Sequence, residues 1–323
     1  MIKKIALYRS AGYDPHFNLA VEQYLMESVQ DDQCILYLWQ NQNTVVIGRN
    51  QNPWKECRTT LLSEEGGHLA RRLSGGGAVF HDLGNLNFTF LMPQADFSLD
   101  RQFYVIQQAV NSLGIPAERS GRNDILSQGR KFSGNAFYKN GRQAYHHGTL
   151  LVDVDMEKLG RYLNPSKAKL QSKGVDSVRS RVVNLKQLKQ ELTIEELCNA
   201  LQKAFASVYG AEPEILTDAD LDLPAIEKLA ERNRSWEWNY GQKLPFSLER
   251  EERFSWGGLQ LQLQVENGII QALKAYSDAM DWALPEALEQ ALTGCRLEKQ
   301  ALLARLREVC PEEAEEICRM ITE

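Results

Sequence analysis

The stretch Arg71-Arg72-Leu73-Ser74-Gly75-Gly76-Gly77-Ala78-Val79-Phe80-His81-Asp82-Leu83-Gly84-Asn85 decides how this chain is read. Two arginines and a serine run into three consecutive glycines, then an apolar pair and a second small-residue turn. Three adjacent residues without Cβ atoms let backbone N–H groups approach a ligand that a side chain would block, so the segment reads as a loop built to bind an anion. Arginine adds a charge that persists at any working pH and a planar fork suited to carboxylate or phosphate oxygens. Neighbours on a strand point to opposite faces, so one of Arg71 and Arg72 is expected to reach the ligand. The triplet alone would mark a Gly-rich hairpin with solvated arginines; the arginines and a lysine-bearing segment further on favour the anion site.

Outward from this loop, the flanking segments carry strand and helix signals. A strand over residues 2–8 leads to a helix that Asp14 caps and Pro15 begins, with Leu19, Val21, Tyr24, Leu25 and Val29 as its apolar stripe. Strands over 34–40 and 44–48 follow, and Asn52-Pro53 opens a second helix by the same cap chemistry. Residues 85–92, NLNFTFLM, alternate as a strand, and a helix is expected over about 100–113. The stretch 124–154 is strand-rich, with Lys139-Asn140-Gly141-Arg142 as a tight hairpin turn, because Asn-Gly tolerates positive φ at both central positions. Thr193 caps a helix to about Tyr209, with Glu195 and Glu196 in its first turn. Strands and helices mixed without a βαβ rhythm indicate an α+β fold.

Three more segments join the candidate site. Asp124 ends GRND and has two readings, an Asx turn or a carboxylate holding Mg²⁺ together with phosphate oxygens. Lys131 opens KFSGNA, where Ser133-Gly134-Asn135 leave room for a ligand beside the lysine. His146 and His147, with Gly148 and Thr149, lie on the strand returning from the hairpin, so Lys131 and this group sit at one end of one sheet. Adjacent histidines face opposite ways, which disfavours a two-histidine metal site and leaves one of them as a buried hydrogen-bonding group. No P-loop, no GxGxxG after a strand and no HExxH occurs.

With 323 residues, 43% hydrophobic and 25% charged, the chain has the composition of an ordinary globular protein. No apolar run reaches transmembrane length, and the N-terminal one is too short for a signal peptide, so no membrane association and a cytoplasmic location are expected. Six cysteines lie far apart without a CxxC pair, which suggests neither zinc nor a disulfide framework. The net charge of −6 argues against nucleic-acid binding. That charge is uneven. Residues 158–190 hold nine bases against Asp176 alone, a loop of +8 that calls for an anionic partner or solvent. Gly241 and Pro245 mark a boundary, giving expected domains 1–244 and 250–323; the second holds a three-strand meander with strands around 253–256, 259–265 and 269–276, then two or three short helices. All five histidines and 16 of the 22 glycines precede residue 180, which places the active site in the first domain.

Taken together, RRLSGGGAVFHDLGNLNFTF, TVVIGRNQNPW, GRNDI, KFSGNAF, HHGTLL and VRSRVVNL resemble the motifs of the lipoate-protein ligase A family, in that family's order and over essentially the whole chain. The resemblance implies a biotin/lipoyl-protein-ligase-like α+β catalytic domain of mixed sheets flanked by helices, with a small α+β accessory domain. It implies a monomeric enzyme that uses ATP and Mg²⁺ to turn free lipoate into lipoyl-AMP and pyrophosphate. The lipoyl group would then pass to the ε-amine of a lysine on lipoyl domains of 2-oxoacid dehydrogenase complexes and on glycine cleavage H protein. On the family pattern Lys131 is catalytic, bridging the lipoyl carboxyl and the α-phosphate. Arg72, Gly77, Ala78, Val79, Phe80, Asn85, Asp124 and Arg179 would hold the nucleotide, with the basic segment 165–184 as the adenylate-binding loop. Arg72, Ser74, Gly75, Gly76, His147 and Gly148 would hold lipoate, and Asp124 the metal. An ATP-independent acyltransferase would need a nucleophilic thiol, and no cysteine falls in these segments. A non-catalytic adenylate- or acyl-binding module is the remaining alternative.

Overall fold

The structure, a computed structural model, describes residues 1–121, 123–164, 182–240 and 248–322. Arg179, nearly all of the basic segment and the expected boundary at 241–247 lie outside the described residues. From the N-terminus run β1 (Lys4–Arg9), α1 (Pro15–Ser28), β2 (Gln33–Trp39), β3 (Thr44–Ile47), α2 (Pro53–Glu56), α3 (Thr59–Glu64), β4 (His68–Arg71), β5 (Val79–His81) and β6 (Asn85–Pro93). Next come α4 (Leu99–Ser112), β7 (Glu118–Ser120), β8 (Asp124–Ser127), β9 (Arg130–Lys139), β10 (Gln143–Leu151), α5 (Met156–Tyr162), α6 (Ile194–Tyr209), β11 (Glu214–Leu216), α7 (Leu223–Arg234) and α8 (Trp236–Tyr240). The chain closes with β12 (Leu248–Arg253), β13 (Gly258–Glu266), β14 (Ile269–Ser277), α9 (Leu284–Leu292), α10 (Lys299–Val309) and α11 (Ala314–Thr322).

Local chemistry accounts for the element ends. The Asp14 carboxylate accepts from the backbone N–H of His16 and Phe17, and Pro15 needs no donor there. Thr193 and Glu196 form a reciprocal capping box at the start of α6, and Gly210 ends that helix at φ 72°. An eight-stranded mixed sheet in the order β11-β1-β2-β6-β10-β9-β8-β7 forms the body, and a three-stranded sheet, β4-β3-β5, carries the glycine loop.

The two faces of the large sheet differ in kind. One packs Leu36, Phe88, Phe90 and Phe132 against α4 and α6 in an apolar core. The other packs Tyr8, Tyr37, Trp39, Leu91 and Tyr145 against α1 and α7, and the polar Asn87, Thr89 and His147 are buried on the same side. A separate core of residues from Phe254 to Ile321 fills the C-terminal part.

Three local expectations change. The alternation in β6 is not an inside-outside pattern: its first eight residues are all buried, because β2 and β10 flank it and helices cover both faces. The hairpin loop has three residues, Asn140 to Arg142, and only Gly141 takes positive φ, at 91°, because the Asn140 carboxamide oxygen accepts from the N–H of Arg142 and Gln143 and stabilises the turn. The first strand of the C-terminal meander ends at Arg253, before the aromatic pair Phe254 and Trp256, whose rings stack in the turn. Its other two strands and three helices fall as expected.

Candidate active site

Beyond β4 the chain turns back through Ser74, Gly75 and Gly76 to β5, and this loop lies over the polar face of the sheet. The glycines serve different ends. Gly76 stands at φ 88°, in the left-handed region, and a Cβ on Gly75 would lie 2.4 Å from the Ala279 carbonyl oxygen. A Cβ on Gly77 would meet nothing within 4 Å, so that side of the loop is open.

Neither arginine offers its fork outward. Arg71 donates to the carbonyls of Gly48, Arg49, Gln51, Trp238 and Asn239, tying the end of β3 to α8. Arg72 donates to Ser74 Oγ and to the carbonyls of Val46, Gly75 and Gly77, with both Gly75 and Gly77 at 2.8 Å from Nη2. Burial lowers the Arg72 guanidinium to about 10, so it stays charged at neutral pH. Arg72 thus shapes the glycine loop: a buried guanidinium satisfies its donors on the nearest oxygens, and here these belong to the loop.

A buried chain of hydrogen bonds runs under the loop. Ser74 Oγ is 2.8 Å from His147 Nε2, and His147 Nδ1 is 2.8 Å from Glu22 Oε1. Thr89 donates to the same carboxylate oxygen at 2.7 Å and accepts from the Trp39 indole. A carboxylate only accepts, so the His147 Nδ1–H donates to Glu22. His146 faces the other way, bonded to Gln102 and Asn135 in the apolar core, with its imidazole pushed down to about 3 by burial. Glu22, Thr89 and Trp39 went unread in the sequence; the signal was Asn18 and Glu22, two polar residues four apart inside the buried stripe of α1.

Lys131 approaches from the opposite side. Its ammonium sits 2.6 Å from Asp124 Oδ1 and lies over Gly134, 3.0 Å from where a Cβ would be. Gly134 and Ala136 share one face of β9, and the Gly76 Cβ position is 3.9 Å from Ala136, so the lysine and the glycine loop stand over the same strip. Gly134 N–H donates to Thr149 Oγ1, which ties this strip to β10. Val182, the first described residue after the basic segment, pairs with Lys131, and Val183 N–H donates to the Lys131 carbonyl. Asn85 Oδ1, Asn87 Nδ2 and His81 Nε2 are buried without a hydrogen-bond partner among the described residues, the state expected of groups that await a ligand. Ala78, Val79 and Phe80 lead from the loop into β5. Gly148 is not brought to this site: a Cβ there would strike Asn135 Oδ1 at 2.4 Å and the Phe88 ring, both on the apolar side.

The C-terminal part closes on the loop. Gly76 N–H donates to the Ala279 carbonyl at 3.1 Å, Asn50 donates to the Trp282 carbonyl, and Trp282 packs on Tyr138. All six cysteines are buried and unpaired, and burial raises every one of these thiols. Among the described residues no three acidic, histidine or cysteine side chains gather as a metal site. A groove of about 510 Å³ beside β1 and β11 is lined by Tyr8, Arg9 and Asp218 and holds none of the expected site residues.

A lysine and a glycine loop stand over one strip of the sheet, and the family match assigns the class, that of ligases. Residues 14–206 match the family model described as the lipoyl protein ligase A/B catalytic domain, and residues 243–321 match that of the bacterial lipoate protein ligase C-terminus; the chain belongs to the lipoyl protein ligase A/B family. Among solved structures it is similar to LipL1 of P. falciparum in complex with lipoate, at 29% identity and TM-score 0.86, covering 98% of this chain and 99% of that one. It is also similar to a lipoate-protein ligase A bound with ATP, at 26% identity and TM-score 0.62, covering 75% of this chain and 99% of that one. An archaeal bipartite lipoate protein ligase from Thermoplasma acidophilum, described with its E2 lipoyl domain, matches at 26% identity and TM-score 0.66 over 77% of this chain and 100% of that one.

Proposed function

We propose that this enzyme activates free lipoate with ATP and transfers the lipoyl group to a lysine of a lipoyl domain. The observation that carries the reading is the Lys131 ammonium, half-exposed above the empty face of Gly134 and directed to the strip over which the glycine loop hangs. In the first step a lipoate carboxylate oxygen attacks the α-phosphorus, the bond from that phosphorus to the bridging oxygen breaks, and pyrophosphate leaves. Two anions must meet, and Lys131 neutralises both while the backbone around Gly77 to Phe80 holds the nucleotide. Asn85 contributes its unpartnered carboxamide oxygen, and Ser74, Gly75, Gly76 and His147 border the acyl side. Arg72 supports the loop and lends positive charge to the nucleotide and the acyl carboxylate.

In the second step the acceptor amine attacks the acyl carbon, a C–N bond forms, the bond to AMP breaks and the amine proton leaves to solvent. Among the described residues Asp124 is the carboxylate paired with Lys131, which suits Mg²⁺, an ion that takes one or two protein carboxylates and completes its shell with phosphate and water. Bound there it would screen phosphate charge. The similarity to proteins solved with lipoate, with ATP and alongside a lipoyl domain supports the substrates and the acceptor class. The buried, raised thiols speak against covalent transfer through cysteine. Lipoate-dependent exchange of pyrophosphate into ATP tests the reading. Exchange is expected with the purified chain; acyl transfer from a thioester without any exchange would overturn it.

A further inference from the structure

Where α8 meets the end of β3, two guanidinia gather on one tryptophan with no carboxylate to match them. Arg49 and Arg232 lie over the Trp238 ring, 4.4 and 4.3 Å from its centroid. Arg232 donates to Gln23 and Asn233 while its Nε is buried without a partner, and the Arg49 guanidinium makes no hydrogen bond among the described residues. Glu286 faces Arg49 and Glu27 faces Arg232, but neither closes to an ion pair among the described residues. Burial lowers both guanidinia from the ordinary arginine value, as happens to charge drawn out of water without a counter-ion. Beside them Trp236, 50% exposed, stacks on Tyr240. Tryptophan, tyrosine and arginine are the side chains that dominate protein–protein contacts. The patch is also fixed next to the site: Arg49 N–H donates to the Ser74 carbonyl at 2.9 Å, where the glycine loop begins, and Tyr138, on the same face of β9 as Gly134 and Ala136, faces Arg49.

We propose that Arg49, with Arg232 and the exposed aromatic rings of α8, docks the acceptor domain by gripping carboxylates on that domain's surface. The proposal rests on the transfer reading above. A chain of net charge −6 repels a polyanion such as nucleic acid or an anionic membrane, whereas two guanidinia without a carboxylate suit the few acidic side chains of a protein partner. Docked here, that partner stands at the rim of the site where its lysine must enter. Titration of an unmodified lipoyl domain with the full chain tests this, with Arg49→Met and Arg49→Lys as variants and pyrophosphate exchange measured alongside. Arg49→Met should raise the Kd about tenfold and flatten its dependence on salt, the mark of a lost interfacial charge, while exchange stays unchanged. Arg49→Lys keeps the charge and should restore most of the affinity. Unchanged affinity in Arg49→Met, equal losses in the two variants, or no binding by the wild type would overturn the proposal. Absence of exchange in all three proteins would overturn the activation reading instead, while the Kd values still decide the role of Arg49.

Discussion

Residue identity in this chain carries chemistry only where the fold leaves a group accessible. Lys131 and Asp124 are half-exposed partners, so their ion pair contributes little stability. Lys131→Met should therefore leave the fold intact while lowering lipoate-dependent exchange by at least about 100-fold, the scale of losing one oxyanion stabiliser. Near-normal exchange in the folded variant would remove Lys131 from the mechanism. Buried histidines set a pH limit. His81 and His146 are held down to about 3 by burial, against about 6.5 when unfolded. Between those values the unfolded chain binds more protons, so stability falls as pH falls, by up to about 1.4 kcal/mol per unit for each imidazole. Urea unfolding at pH 7 and pH 5 should differ by about 2 to 4 kcal/mol, and equal stability would mean that these imidazoles are protonated in the folded protein. The arginine pair shows what residue type alone cannot tell. Anion recognition and carbonyl tethering use the same guanidinium donors, and only the positions of the surrounding oxygens decide between them.

Elements were legible where their signals are contiguous. Asp14-Pro15, the Thr193–Glu196 box and Gly210 mark helix ends through groups within four residues of the backbone they cap, so α1 and α6 follow from the sequence. The face of a strand is not marked in this way. His146, His147 and Gly148 follow one another in β10, yet His147 enters the polar network while its two neighbours enter the apolar core. Gly148→Ala should accordingly act through packing: the added methyl overlaps Asn135 and Phe88, and a cost of about 1 to 3 kcal/mol is expected in thermal or urea unfolding. Unchanged stability together with weakened lipoate binding would return Gly148 to the site.

At the scale of the molecule, the cores fall into two sets along the chain. The C-terminal core draws on residues 254 to 321, and the others end at Ala230. We expect a chain ending near Ser247 to unfold cooperatively and to transfer a lipoyl group from supplied lipoyl-AMP. Contacts of Ala279 with Gly75 and Gly76 and of Trp282 with Asn50 and Tyr138 brace the glycine loop in the full chain. Their loss should depress exchange from ATP and free lipoate, and undiminished exchange by the shortened chain would show that this bracing is dispensable.

By itself the sequence determined the α+β class, the main helix ends, the glycine loop and the lysine opposite it, because caps, turns and close backbone approaches are written in a few adjacent residues. Only the tertiary structure decided that Arg71 and Arg72 are tethers, that Glu22 on α1 completes a buried chain to Ser74, and that Ala279 and Met280 lie on the glycine loop. Those outcomes join groups up to some two hundred positions apart. They depend on which faces meet when the sheet is assembled, and no local pattern carries that information.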